Sequence, residues 1–401
     1  MTLSLLVATI LSWGVAVGYV CQRKVLLNVA GDIRLLHSRT VYYGVYAGVC
    51  TIAPALGVLF VLHLLRHVIN NDQITFVAVS TTAAGSALIV YWQTGPALRA
   101  RNLVESMMLG SLLLSASIAV LTTLAIVLSL LGNTITFFTL YPVDDFLFGT
   151  SWSPSFSGRG GSSQLGLLPL LWGTLYITLI ALVVAVPIGL FSAVYLAEYA
   201  SPRIRNFAKP LLEVLVGIPT IVYGLVALLI VGPMLVQVFG SDGFGWMQDG
   251  TAVLTAGLVM GVMLIPFVLS PTEDAIRRVS KSMRDASLGL GATQSETIKQ
   301  VVLPTALPGI SGGIILAASR AIGETMIVVL GAGSAARLSI SPFEAMTTVT
   351  AKIVSQLTGD SDFTSPEALV AYALASSLFV ITLSLNMVGQ RITRRYQEEN
   401  Q

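Results

Sequence analysis

An arginine and a glutamate lie four residues apart within a long apolar segment of the sequence. The segment reads S-R-A-I-G-E-T-M, with Arg320 and Glu324 one helical turn apart. An arginine at the centre of a bilayer costs about 2.5–3.5 kcal/mol on insertion scales, so it requires a partner. The i,i+4 spacing allows Glu324 to be that partner on one helical face. The guanidinium group also has the planar fork geometry that binds oxyanions.

Two interpretations of this pair stay open at the level of sequence. In the first, the pair is a structural ion pair that locks two helices together. In the second, it is a polar binding site along the path of a transported anion. Gly323 lies between the two charges, and its small size permits the close approach of a neighbouring helix. A pair that is closed without substrate could open to admit it, so the two interpretations are compatible.

A second pattern, D-A-S-x3-G-x9-V-x-L-P, lies between two apolar segments. The spacing predicts a short helix over 282–290, a turn at Gly291, a second helix over 294–302 and a break at Pro304. A basic amphipathic loop on the membrane surface is the alternative, but it would not require this Gly and Leu-Pro spacing. The residues that define the pattern are Asp285, Ala286, Ser287, Gly291, Val301, Leu303 and Pro304.

The composition places these segments in a membrane. The chain has 401 residues, of which 54% are hydrophobic and 10% are charged, and its mean hydropathy is +0.82. Soluble domains carry about a quarter charged residues. We therefore predict an all-α polytopic membrane protein, including a retained N-terminal transmembrane helix, with nine spans near 2–20, 43–65, 74–92, 103–131, 167–196, 210–237, 251–271, 305–332 and 367–390. The third span is diluted by Ser and Thr and could be re-entrant or interfacial.

The placement of basic residues predicts the orientation of these spans. With the C-terminus inside, 17 of the 22 Lys and Arg residues lie in inside loops and four in outside loops. An excess of Lys and Arg marks cytoplasmic loops. We therefore expect the N-terminus outside, the C-terminus in the cytoplasm and the loop at 273–304 on the cytoplasmic side. The long outer loop 132–166 is expected to be partly structured and to meet a soluble partner.

Several functions are not supported by the sequence. It contains no G-x4-G-K-[ST] phosphate loop, so an ATP-driven process would need a separate ATPase. We predict no catalytic residue, no metal site, no cofactor and no nucleic-acid binding, and we interpret Cys21 and Cys50 as packing residues. For Lys209 and Glu213, four residues apart, we predict a local salt bridge.

The D-A-S-x3-G segment resembles the cytoplasmic coupling loop of ABC importer permeases, which are driven by a separate ATPase. Asp285 stands where Glu is typical of that family and Ser287 where Ala is typical. Within the class, the chain resembles the PstC family of phosphate permeases over about 103–401. The segments that carry this resemblance are F-L-F-G-T-x-W-x-P at 146–154, Y-L-A-E-Y-A at 195–200, K-P-L-L-E-V-L-V-G-I-P-T-I-V-Y-G at 209–224 and S-R-A-I-G-E-T-M at 319–326.

The resemblance implies a type I ABC importer permease fold with a six-helix core over 103–401 and a three-helix membrane extension over 1–102. It implies a subunit that imports phosphate across the inner membrane by alternating access. Its expected partners are a PstA-like permease, a PstB-like ATPase dimer, a PstS-like binding protein and membrane lipid. By position, it places Arg320, Glu324 and Thr325 on the substrate pathway, and Asp285, Ala286, Ser287, Gly291, Leu303 and Pro304 in contact with the ATPase.

Three alternative functions stay open. The cargo could be another oxyanion, such as molybdate, sulfate or a phosphonate. The chain could be a secondary anion transporter, although the sequence has no evident inverted repeat with paired broken helices. It could also be a membrane sensor or scaffold that signals phosphate status.

Overall fold

The computed structural model of the chain describes residues 3–29, 36–65, 72–154, 163–241, 243–358 and 366–398. The chain divides into two compact units, Met1–Ala125 and Ile126–Gln401. The described part is almost entirely helical, as the composition predicts, with one two-stranded antiparallel pair of short strands.

The first unit is built from long apolar helices: α1 (Leu3–Asn28), α2 (Thr40–Leu64), α3 (Asp72–Gln93) and the first part of α4 (Ala100–Leu140). Glycines allow the backbones of α1 and α2 to touch. A Cβ atom built on Gly18 would lie 2.6 Å from the main-chain oxygen of Gly44. Small residues at a helix–helix interface let the two backbones approach closely, which is typical of helices that associate inside a bilayer.

The second unit begins within α4 and contains the remaining elements. Their bounds are α5 (Val143–Phe148), β1 (Trp152–Ser153), β2 (Gln164–Leu165), α6 (Leu168–Val194), α7 (Pro202–Gly217), α8 (Thr220–Val226), α9 (Gly232–Phe239), α10 (Val253–Arg278), α11 (Lys281–Gly289), α12 (Gln294–Thr297), α13 (Leu303–Ile322), α14 (Met326–Gly331), α15 (Val349–Leu357) and α16 (Pro366–Glu398). Three π-helical turns follow α6, α8 and α12, over Tyr195–Tyr199, Ala227–Val231 and Ile298–Val302.

Helix α10 forms the centre of the second unit. It is apolar around most of its circumference, and its inner surface packs against α6 and α13. Met260, Leu264 and Val268 are almost completely buried there. A helix that is hydrophobic on all sides belongs in the interior of a bundle.

The nine predicted spans are confirmed within the described residues, where nine helices are long and apolar enough to cross a membrane. The third of them is an uninterrupted helix over Gln73–Gln93. The outer loop predicted over 132–166 begins later than expected, because α4 continues to Leu140 and is followed by α5.

Two predicted spans are interrupted in the structure, at 218–219 and at 323–325, so their predicted bounds are wrong. The span expected at 210–237 begins at Thr220, because residues up to Gly217 belong to α7, a helix that has no buried residue. Pro219 separates the two, and the residue before a proline is disfavoured in helical conformation. The span expected at 305–332 ends at Ile322, and α14 begins only at Met326.

Candidate functional site

The interruption between α13 and α14 holds the Arg320–Glu324 pair. Arg320 lies in the last turn of α13, and Glu324 lies just beyond the C-terminal residue Gly323. The Nη1 atom of Arg320 is 3.3 Å from Oε2 of Glu324. The ion pair predicted from the spacing is therefore present, but it spans the end of a helix instead of the middle of one.

The two charges of this pair are unequally covered. The side chain of Glu324 is 2% exposed, whereas that of Arg320 is 40% exposed. The Oε2 atom of Glu324 has no hydrogen-bond partner among the described residues. The charge of this oxygen is therefore balanced by the ion pair with Arg320 and not by a hydrogen bond. An exposed guanidinium fixed beside a buried carboxylate retains donors that can bind an anion.

Neighbouring groups hold Glu324 in place. Its Oε1 atom accepts a hydrogen bond of 3.1 Å from the backbone N–H of Met326. The hydroxyl of Thr350 donates to the main-chain oxygen of Glu324 at 2.8 Å. Thr350 lies in the first turn of α15, and the sequence pattern did not indicate its role because the contact joins segments 26 residues apart.

Thr325 and Ser319 flank the pair. Thr325 is half-buried at the residue that precedes α14, and its side chain makes no capping hydrogen bond there. Ser319 donates a hydrogen bond of 2.5 Å to Oδ1 of Asn386 on α16. Asn386 was not predicted, although an amide within an otherwise apolar span is a signal that could have identified it. The structure thus brings Arg320, Glu324 and Thr325 together, while their role in a substrate pathway stays a prediction.

The D-A-S-x3-G segment forms the predicted helix–turn–helix. Helix α11 covers Lys281–Gly289, and Gly291 has a φ of +91°, which an L-residue rarely adopts. Helix α12 follows over Gln294–Thr297 and continues into the π-helical turn Ile298–Val302. We refer to residues 281–302 as the lever segment.

Hydrogen bonds within the lever segment tie its two helices together. The hydroxyls of Ser287 on α11 and Thr297 on α12 are 2.9 Å apart. Thr293 begins α12 with a capping box, in which its hydroxyl accepts from the N–H of Glu296 and the Glu296 carboxylate accepts from the N–H of Thr293. Such a reciprocal cap satisfies two backbone donors at a helix N-terminus.

The outer surface of the lever segment is exposed. Asp285 and Ala286 are both exposed, and Leu290 at the turn is 91% exposed. Met283 and Leu288 are also exposed on the preceding helix. The pattern did not single out these three apolar residues, although exposed apolar side chains at the tip of a loop are typical of a surface that meets a partner.

The break predicted at Pro304 is wrong. Leu303 and Pro304 are the first two residues of α13, which follows the π-helical turn directly. The chain is helical from Gln294 to Ile322, so Pro304 lies where the π-helical turn changes to an α-helix and does not end the helix. A π-helical turn alters the hydrogen-bond ladder locally, and prolines and such turns are the usual sites of bends in continuous helices.

The salt bridge predicted between Lys209 and Glu213 is also wrong. The Nζ atom of Lys209 is 2.9 Å from Oε2 of Glu273 and 3.5 Å from Oδ1 of Asp274. These contacts join α7 to the last turns of α10, and the Glu273 side chain is completely buried. The close contact with the Glu273 carboxylate raises the pKa of Lys209 above its ordinary value.

No group of three or more His, Cys, Asp or Glu side chains is suitably placed for a metal ion in the part of the chain that the structure describes.

Two protein families match the sequence. The family described as binding-protein-dependent transport system inner membrane component matches residues 185–398, and the family described as phosphate ATP-binding cassette transporter matches residues 3–78. The first match covers α10, the lever segment and the Arg320–Glu324 pair. The second covers most of the first compact unit.

Curated relatives match over more than half of the chain. A phosphate transport system permease protein PstC of Mesorhizobium japonicum is 32% identical over 263 residues, covering 62% of this chain and 78% of the relative. A probable ABC transporter permease protein, YqgH of Bacillus subtilis, is 30% identical over 251 residues, covering 63% and 78% respectively. Among solved structures, a bacterial alginate ABC transporter in complex with a pentasaccharide-bound periplasmic protein aligns with 73% of this chain and 97% of its own, with a TM-score of 0.49 and 18% identity. The chain belongs to the binding-protein-dependent transport system inner membrane components and, within them, to the PstC family of phosphate transport system permeases.

Proposed function

We propose that this chain is the permease subunit of an ATP-driven importer that moves inorganic phosphate across the inner membrane. The observation that carries the proposal is the Arg320–Glu324 pair at the interruption between α13 and α14. A guanidinium that is 40% exposed beside a buried carboxylate offers an anion a binding group inside a membrane protein. The relatives named as phosphate permeases support phosphate as that anion.

The pair suits transient binding. Glu324 holds Arg320 while no anion is present, and a phosphate oxygen replaces the carboxylate when the substrate arrives. Since Glu324 is fixed by the Met326 N–H and by Thr350, its charge stays beside the path and favours release of the anion. Thr325, half-buried next to Glu324, is assigned as a further substrate contact.

The lever segment is assigned as the contact with the ATPase. Its short helices are tied together by Ser287 and Thr297, and its tip presents Leu290 to solvent. Docking involves Asp285, Ala286, Ser287 and Gly291, with Leu303 and Pro304 at the return to the membrane. Closure of the ATPase dimer on ATP binding would then move α13 through its direct connection to this segment, and alternating access follows from that motion.

The remaining subunits are a PstA-like second permease, a PstB-like ATPase dimer and a PstS-like binding protein. The basic residues support a cytoplasmic C-terminus and an N-terminus outside. We assign residues 1–102 to an N-terminal membrane extension and 103–401 to the permease domain.

The test is radiolabelled phosphate uptake in a strain that lacks its own importer. The chain is co-expressed with its three partner proteins, either as wild type or as Arg320→Gln. A hydrogen bond to a charged group contributes about 1.5–3 kcal/mol, so uptake should fall about tenfold to a hundredfold while the complex still assembles. Arg337→Gln is the matched control, because Arg337 forms an exposed ion pair with Glu344 at 3.4 Å.

Other outcomes would identify the alternatives. Uptake that is displaced by sulfate or molybdate would change the cargo and leave the ABC assignment intact. Uptake without the ATPase would indicate a secondary transporter. A variant that takes up phosphate normally but no longer supports phosphate-dependent signalling would show that the chain also acts as a sensor.

A further inference from the structure

Arg284 is the one basic residue of the loop 273–304 whose side chain is not exposed. The other four, at positions 277, 278, 281 and 299, are exposed and suit contact with lipid head groups or a partner. The Arg284 side chain is 22% exposed, and its Nη1 atom is 2.6 Å from Oε1 of Glu198. Glu198 is 9% exposed, so this is a largely buried ion pair between two separate elements.

Glu198 belongs to the π-helical turn Tyr195–Tyr199, which continues the membrane helix α6. The neighbouring residue Leu196 is buried against Leu269 of α10. π-Helical turns are rare and frequently occur at functional sites. Glu198 is therefore fixed to the core of the second unit, while Arg284 lies in the first helix of the lever segment.

Two further contacts converge on this pair. The Nη2 atom of Arg284 donates a hydrogen bond of 2.6 Å to the main-chain oxygen of Ile276, in the last turns of α10. The side-chain amide of Gln294, the first residue of α12, donates to the main-chain oxygen of Glu198 at 3.2 Å. Both helices of the lever segment are thus connected to the end of α6, and Arg284 adds a connection to α10.

We propose that Arg284 and Glu198 are positioning residues that transmit motion of the lever segment to α6 and α10. Other contacts also hold the lever segment to the second unit, since Val302 is buried in a cluster that includes Val194 of α6 and Gln294 bonds to the main chain of Glu198. The Arg284–Glu198 pair is the ion pair that joins the first helix of the lever segment to the end of α6. The inference rests on the proposed function, since it requires an ATPase that moves the lever segment. Neither residue is assigned to substrate or to nucleotide.

The experiment measures phosphate uptake and ATP hydrolysis in the same assembled four-protein complex, reconstituted in vesicles. Arg284→Gln and Glu198→Gln each remove one charge. We expect the complex to assemble and to hydrolyse ATP, while the phosphate transported per ATP falls about tenfold, within the range of coupling between distant sites. Arg284→Lys keeps the charge, but lysine has a single cationic nitrogen for the two acceptors, Glu198 and the Ile276 oxygen. The phosphate transported per ATP by this variant should therefore lie between that of wild type and that of Arg284→Gln.

A double variant tests whether the two residues act as one unit. Because each single change already breaks the pair, and Arg284 alone also bonds Ile276, the double variant Glu198→Gln with Arg284→Gln should transport as much phosphate per ATP as Arg284→Gln. Arg203→Gln is the matched control, since Arg203 is exposed on α7. The phosphate that this variant transports per ATP should stay within about twofold of wild type.

The outcomes separate this inference from the proposed function. If the wild-type complex does not take up phosphate, the proposed function fails. If wild type transports and both single variants keep the wild-type ratio, transmission through the pair is wrong while the transporter assignment stands. If both single variants fail to assemble, or if the effects of the two changes add independently, the pair holds the fold and does not transmit motion.

Discussion

The carboxylate of Glu324 is the residue on which the behaviour of the candidate anion site depends. In the proposed function, Arg320 attracts the anion and Glu324 competes with that anion for the same guanidinium. Its burial makes the competition strong, since charges interact more strongly where water is excluded. The balance between the two charges should therefore set both binding and release.

Glu324→Gln should separate these two effects. Glutamine keeps an oxygen that can accept from the Met326 N–H, so the local fold is retained. With the competing charge removed, we expect the KM for phosphate uptake and the maximal rate both to fall about fivefold, since tighter binding slows release. Uptake kinetics against phosphate concentration measure this.

Glu344→Gln is the control for that prediction, because Glu344 forms an exposed ion pair with Arg337. A Glu324→Gln variant with unchanged KM would mean that Glu324 only supports the helix end.

At the scale of elements, the lever segment depends on one backbone conformation. The φ of +91° at Gly291 reverses the chain between α11 and α12, and the hydrogen bond between Ser287 and Thr297 requires that reversal. No side chain lies within 4 Å of a Cβ built at Gly291, so only the backbone conformation restricts this position.

Gly291→Ala should therefore weaken the turn by about 1–2 kcal/mol, the cost of a left-handed conformation for an L-residue. Faster amide hydrogen exchange over 287–297 would report the weakened turn, and uptake should fall with it.

Gly289→Ala is the matched control two residues earlier. Gly289 is the last residue of α11 and also has open space around it, so alanine should be neutral or stabilise by up to about 1 kcal/mol. Equal exchange in both variants would contradict the proposed importance of the turn.

Helix α7 is an element whose position depends on ion pairs. None of its residues is buried, and Lys209 ties it to Glu273 and Asp274 of α10. The close contact with the Glu273 carboxylate raises the pKa of Lys209 above the ordinary value of 10.5. A raised pKa in the folded state means that the stabilising contribution is complete below the ordinary value and is lost as pH rises through the raised value.

We therefore expect that Lys209 causes no change in the melting temperature of the purified protein between pH 7 and about pH 10. Above that range its deprotonation should lower the melting temperature. Lys209→Met should unfold at lower temperature at neutral pH, because the buried Glu273 loses its nearest cation. The difference between the two proteins should shrink as pH rises. A constant difference up to the highest pH would show that Lys209 acts through packing and not through its charge.

At the scale of the whole molecule, the chain consists of two compact units, each with hydrophobic clusters of its own. The clusters that bury Leu6, Ile10 and Leu59 involve helices of the first unit, whereas those around Met260 and Leu264 involve the second. Compact units with their own cores can fold independently. Residues 3–78 and 185–398 also match different families.

A chain that lacks residues 2–98, and so retains the whole of α4, should therefore still assemble with its partners and transport phosphate. Co-purification of the ATPase with the shortened chain, followed by uptake, measures this. Uptake within about twofold of wild type is expected, because the Arg320–Glu324 pair and the lever segment lie entirely in the second unit. Failure to assemble would mean that the first unit is required for the permease domain to fold.

The sequence alone determined the number and approximate positions of the membrane spans and the spacing of the site residues. Hydropathy over about 20 residues and the i,i+4 position of Arg320 and Glu324 are local properties, and local properties can be read along a chain. The fixed spacing around Gly291 likewise predicted the helix–turn–helix, because a positive φ depends on one residue type.

Only the tertiary structure decided where the helices end and which charges meet. Thr350 of α15 bonds the main-chain oxygen of Glu324 beside the interruption at Gly323, and the partner of Lys209 is Glu273 on another helix. The contact between Arg284 and Glu198 joins residues 86 positions apart. Such contacts depend on how α6, α10 and α13 pack against one another, and packing arises from the whole bundle and not from any single segment.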